Sequence, residues 1–295
     1  MKMSKNLAVV LVILSATASA AATTELVNML KTHSVSGYRV YTTLKDKSIF
    51  DFFSKTTTNG GRIGAISTAV HESLHKVDSE LTDAARKTGD IRNNFVFFLV
   101  DGSQASISST PPDEKGGQTE LEPSSIAHAE AEKLGSDIIS AYAKTYLAGE
   151  MGKQKFDSIL DELNAYAHDA RVVSDLAAGL RETRRINPGL QIMIIFCGLY
   201  IERVKADFPA TWRAVKNGAD FQKGLKLLYS QALDELRAAC TSKYSGTEKE
   251  VLRLALGKRI TGAWEAALGT GATAHAAAAA RTCGILQVKP DTVIR

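Results

Sequence analysis

Histidine and cysteine are scarce in this 295-residue chain, at six and three copies, and proline is no commoner than histidine. Three cysteines are too few for the disulfide framework that holds small secreted domains together. They allow one pair, expected between Cys240 and Cys283 in an oxidising compartment. Cys197 lies inside the apolar run Ile192 to Ile201 and reads as a small buried hydrophobe. A dense block of Lys or Arg is also missing, and the net charge of +4 is small for this length, so nucleic acid is not an expected partner. No repeat period is evident.

With so few histidines, their spacing carries information. His33 and His128 have no partner at a ligand-like interval and read as structural or surface residues. His71 and His75 differ, because they bracket Glu72-Ser73-Leu74 inside a segment from Ile63 to Leu81. There Ile66, Val70, Leu74, Val77 and Leu81 recur at steps of three and four, the period of a helix. On a helix the two imidazoles stack one turn apart on one face, where they can share a metal ion. Glu72 sits about 100° to one side, better placed for a water on the ion than for the ion itself. Residue frequencies in this chain predict about 0.01 chance occurrences of H-E-x-x-H, so coincidence is a poor explanation.

A hydrolytic zinc takes three protein ligands and keeps a position for water. The ligand pattern that continues H-E-x-x-H with a Gly and a third His is absent, since Asp78 and Leu81 stand at those positions. The remaining common solution is a Glu from a second helix. On the helix expected from Lys153 to Arg181, Ile159, Glu162, Tyr166 and Asp169 form one stripe beside an apolar face of Phe156, Leu160, Leu163 and Ala167. Glu162 is therefore the expected third ligand, with Glu130, Glu132 and His168 as competitors. Tyr166 is the candidate oxyanion donor, and Asp169 or Asp161 the candidate to orient a ligating His.

His71, Glu72 and His75, extended to Glu162, resemble the gluzincin group of zinc metallopeptidases. The uncharged flanking residues Thr68, Ala69, Val70, Ser73, Leu74 and Val77 fit the wider pattern, whereas Lys76 departs from it. The resemblance implies a Zn2+ ion held by His71, His75 and Glu162, a water on it activated by Glu72 as general base, and hydrolysis of a peptide or protein substrate. The rival expectation is a secreted, non-catalytic helical interaction protein with an inert motif. A third is a hydrolase acting on a cell-wall amide.

The expected fold is α+β and predominantly helical. The resemblance implies a zincin-like core of a few strands and the metal-binding helix, followed by a helical C-terminal half. Residues 1–20 carry Lys2 and Lys5, an apolar run Leu7 to Leu14 and Ala18-Ser19-Ala20, the layout of a secretory signal peptide cleaved near Ala20. The apolar run is too short for a permanent membrane anchor, so the mature chain is expected in the periplasm or medium. Residues 21–183 would form the metal-binding region with a short sheet, and residues 184–295 a helical region packed on it.

Within that frame Glu25 to Lys31 reads as a short helix and Tyr38 to Leu44, rich in aromatic and β-branched residues, as a strand. Asn94 to Val100 and Ser103 to Ser109 read as a hairpin whose edge could hold an extended peptide. Residues 110–123 read as a solvated loop, with a lid over the cleft as the functional alternative. Helices follow at Ser124 to Ala148, Leu190 to Ala206, Thr211 to Lys216, Phe221 to Thr241 and Thr247 to Ala267. Ala272 to Ala280 is helical in character but offers little to pack.

Overall fold

The computed structural model describes residues 23–54, 61–87, 94–111 and 118–285. The expected signal peptide and the centre of the 110–123 loop lie outside them. The architecture is mostly helical with two small sheets.

In chain order, α1 spans 23–33 and α2 Val35–Thr43, followed by α3 Ser48–Ser54 and α4 Gly61–Lys87. The hairpin β1 Asn94–Phe98 and β2 Gln104–Ser108 comes next. A 3-10 turn at Ser124–Ala127 leads into α5 His128–Glu132, α6 Asp137–Tyr146, α7 Gly149–Gly152 and α8 Phe156–Leu180. Then follow β3 Arg184–Arg185, α9 Gly189–Asp207, α10 Pro209–Asn217, α11 Ala219–Thr241 and β4 Ser245–Gly246, which pairs in parallel with β3. The chain closes with α12 Lys249–Ala255, α13 Lys258–Leu268 and α14 Thr270–Thr282.

Helix α8 is the axis of the molecule, contacting α2, α4, α9 and α11. Its C-terminus is fixed by Arg181 in the left-handed region (φ 56°), with Glu182 N–H on Ala177 O and Arg181 N–H on Ala178 O, a Schellman closure. The stripe Ile159, Glu162, Tyr166 and Asp169 is buried along with the adjoining apolar face. In helix α9 the run Ile192 to Ile201 is apolar on every side and is accordingly enclosed, buried throughout. One hydrophobic cluster runs from Leu26 to Ala280, so the regions before and after residue 183 share a core.

Several expectations are corrected. Tyr38 to Leu44 is not a strand: Tyr38 to Thr43 belong to α2 and Leu44 is its C-cap. Ser34 caps this helix by accepting from Gly37 N–H, and Ser36, Gly37 and Val40 form its buried face. A Cβ at Gly37 would come within 2.6 Å of Leu30 and 2.9 Å of Val172, so close helix packing overrides the β preference of the sequence. The single helix expected from Ser124 to Ala148 is interrupted at Gly135, whose φ of 68° ends one turn before the next begins. The helix expected from Thr247 to Ala267 breaks at Gly257. The Ala-rich tail does pack: Ala272, Ala276, Ala279 and Ala280 are buried, and α14 lies against α11 and α13.

The hairpin forms as expected, with Phe95 opposite Ile107 and Phe97 opposite Ala105, but its edges are closed. On the outer side of β1, Val96 N–H donates to Thr82 Oγ1 (2.9 Å) and Phe98 N–H to Asp78 Oδ1 (2.7 Å), both side chains of α4. The other strand is covered by α11, which brings Gly224 so near that a Cβ there would meet Ser106 O at 2.5 Å. Main-chain addition of a peptide to this sheet is therefore blocked, contrary to the sequence expectation.

Among the described residues no helix is long and apolar enough to cross a membrane. Cys240 and Cys283 form the expected disulfide (S–S 2.11 Å), consistent with an oxidising compartment, and Cys197 is buried and free.

Candidate metal centre

Helices α4 and α8 lie against one another over much of their length, which puts the His71/His75 face opposite the Glu162 stripe. His71 Nε2 lies 3.4 Å from Glu162 Oε2, and His75 Nε2 lies 3.6 Å from Glu162 Oε1. The three potential donor atoms fall within 4.8 Å of one another. Donors held at about 2.1 Å around a tetrahedral ion are spaced about 3.4 Å apart, so this group has the dimensions of a metal site. Glu162 Oε2 is shielded from solvent and makes no hydrogen bond. A buried oxygen left in that state is costly unless a cation completes it.

The surroundings tune the donors. His75 Nδ1 donates to Asp161 Oδ2 at 2.7 Å, which leaves the Nε2 lone pair facing Glu162. Burial works against a charged His75, but the hydrogen bond and charge of Asp161, followed by the charges of Glu162 and Glu72, outweigh it and raise its pKa to about 9. Carboxylates that hold a proton so firmly would equally favour a cation in its place. Asp161 is thus the orienting acid, one of the two foreseen. Asp169, the other, is buried with its Oδ1 free of hydrogen bonds, and burial raises its carboxyl pKa against the smaller opposing effect of the His71 charge. Replacing Asp161 with Asn is expected to weaken metal affinity by about 10- to 100-fold, measured by competition with a chromophoric chelator.

The competitors for the third position are occupied elsewhere. Glu130 pairs with Lys133 (2.7 Å) and Arg259 (2.6 Å), whose hydrogen bonds lower its pKa to about 2, and Glu132 accepts from Ser140. His168 is fully buried, with Nε2 donating to Phe98 O at 2.9 Å and Nδ1 accepting from Ser36 Oγ at 3.1 Å. It belongs to a polar lattice in which Asn164 Nδ2 donates to Asp78 Oδ2 and Phe98 O, and Gln231 Nε2 to Asn164 Oδ1. This lattice fixes the hairpin onto the two site helices.

Burial lowers the His168 pKa from 6.5 to about 4, against a smaller opposing effect of the Phe98 carbonyl. The folded chain therefore takes up a proton there less readily than the unfolded one. The neutral ring's contribution is complete above pH 6.5 and is lost as the pH falls toward 4, an effect of about 3 kcal/mol. Urea unfolding of wild type and His168→Gln over that range should show a steeper acid loss in the wild type by about this amount.

No family model matches this chain, and no curated protein or solved structure does either.

Sequence reasoning missed two members of the site. The Tyr166 ring packs edge-on against His71, with centroids 4.6 Å apart, and its hydroxyl hydrogen-bonds that of Tyr146 (2.8 Å). Tyr142 lies 6.2 Å from Tyr166, ring to ring, and donates to Asn187 Oδ1. Burial raises all three phenol pKa values; the charge of Glu162 adds to each, and that of Glu72 also reaches Tyr146. These hydroxyls therefore stay protonated and can donate. The signal for Tyr142 and Tyr146 was their i, i+4 spacing on α6, but nothing in the sequence says which way α6 faces.

Proposed function

We propose that this protein is a zinc-dependent hydrolase of peptide bonds, working outside the cytoplasm. The observation that carries the reading is the convergence of two imidazoles and one buried carboxylate, whose Oε2 makes no hydrogen bond, at the spacing of metal donors, with Glu72 on the same helix as the imidazoles. A His2Glu set suits zinc with one position left open. A zincin-like core is supported by α4 carrying both imidazoles, the hairpin lying along it and α8 returning the carboxylate. The N-terminal leader pattern and the disulfide support the location.

Bound there, zinc would supply Lewis acidity, bringing the pKa of water to about 7 and polarising a carbonyl. Glu72, half-buried and free of any ion pair with Lys or Arg among the described residues, would accept the proton and pass it to the departing amine. Of the bonded hydroxyls of Tyr146 and Tyr166, one proton is used between them and the other remains for a developing oxyanion. Asp161 would keep His75 in the ligating tautomer.

The rival is a helical interaction protein in which a metal serves only stability. The closed hairpin edges favour it, because a peptidase then needs another way to align its substrate. Purified protein should contain about one zinc per chain and cleave a mixed peptide library; chelation should stop cleavage and zinc should restore it. Zinc without turnover of any peptide would favour the rival, and turnover confined to cell-wall fragments would change the substrate class.

A further inference from the structure

A cavity of about 480 Å³ opens beside the metal centre, between the first turns of α4, the middle of α8 and the segment joining β3 to α9. Ser67, Asp169, Tyr142, Asn187, Arg184 and Arg185 supply its polar lining. The cavity borders the site through Tyr142, which neighbours Tyr166 and hence His71, through Ser67, one turn from His71 on α4, and through Asp169, two turns from Glu162 on α8. We infer that this cavity is a substrate subsite that receives a carboxylate of the bound peptide on Arg184 and Arg185.

The cations carry the argument. Each guanidinium presents five donors in a fork that matches a carboxylate. Arg184 meets Glu182 at 3.0 Å and Arg185 meets Glu248 at 3.2 Å through one nitrogen each, in exposed pairs that cost little to exchange for another carboxylate. Arg184 Nε is shielded from solvent and makes no hydrogen bond. The wall behind them is rigid: Asn187 Oδ1 accepts from both Tyr142 and the Gly189 N–H, and β3 is held by Arg184 N–H on Tyr244 O and Ile186 N–H on Gly246 O. Gly189 is packed so closely on Tyr166 that a Cβ would meet its ring at 2.2 Å, joining this wall to the metal centre. The one acid in the lining, Asp169, is on the α8 wall with its Oδ1 buried and without a hydrogen bond, set among Ser67, Tyr142 and the arginines. Because the hairpin edges are covered, a charged anchor of this kind also supplies the alignment that main-chain pairing does not.

The assignment of the ligand as a peptide rests on the hydrolase reading, so the test separates the two. Fluorescein-labelled, amidated seven-residue peptides of Ala and Gln, in which one of the three central positions at a time carries Glu, Gln or Lys, are titrated against the zinc-loaded Glu72→Gln chain by anisotropy. The Glu peptide should bind at least tenfold more tightly than its Gln counterpart at one position. That preference should fall below twofold when Arg184→Gln and Arg185→Gln are added. An all-Gln peptide with a free C-terminal carboxylate distinguishes the source: tight binding by it alone assigns the subsite to a chain end. Equal affinity for all charges, or a Glu preference that survives loss of both arginines, overturns the subsite. Wild-type cleavage without charge preference removes the subsite and keeps the hydrolase, whereas arginine-dependent preference without cleavage does the reverse.

Discussion

Glu72→Gln should lower peptide hydrolysis about 1000-fold while leaving zinc content unchanged. Glutamine keeps the size and helix preference of glutamate, and neither imidazole nor Glu162 depends on Glu72 for a hydrogen bond. It removes only the proton acceptor. The check is kcat on a peptide substrate alongside zinc analysis of the same preparation. Loss of zinc together with activity would make Glu72 part of the metal-holding set, and full activity would remove it from the mechanism. A parallel Glu162→Gln replacement should instead weaken metal binding, because a neutral amide oxygen is a poorer zinc ligand than a carboxylate.

Reduction of the Cys240–Cys283 bridge should cost about 4 kcal/mol of stability, from the chain-entropy relation for a loop of 43 residues. The bond ties the end of α14 to the end of α11, and α14 is a helix of small side chains with little apolar area of its own. Urea unfolding with and without reductant, or of a Cys240→Ser/Cys283→Ser variant, measures the effect. Hydrogen exchange should show α14 loosening first while α4 and α8 stay protected, because α14 packs mainly against α11 and α13. Equal stability with and without the bond would leave the location argument resting on the leader pattern alone.

The parts of this molecule that were legible in sequence are those where one periodicity decides the outcome. The motif helix α4, the Glu162 stripe on α8, the hairpin and the enclosed α9 all follow from which residues recur at steps of two, three or four. Glu162 could be named as the candidate third donor because a carboxylate on the border of an apolar face needs a partner, and it lies within reach of both imidazoles. What could not be read depends on close approach in three dimensions. Helix α2 carries strand-like residues, yet Gly37 lets it sit on Leu30 and Val172. Thr82 and Asp78 look like ordinary polar positions on α4 until β1 brings Val96 and Phe98 to them. Tyr142 and Tyr146 come to the candidate metal centre only because α6 brings them to Tyr166, and Arg184 and Arg185 line the neighbouring cavity from β3; no spacing within their own segments announces it.

X-ray absorption at the zinc edge of the protein purified without chelators bears most directly on the central claim. One zinc per chain should be found, with two imidazole nitrogens and a carboxylate oxygen at about 2.0–2.1 Å. Protein without zinc near one equivalent, or a zinc signal unchanged by His71→Ala and by Glu162→Ala, would contradict it.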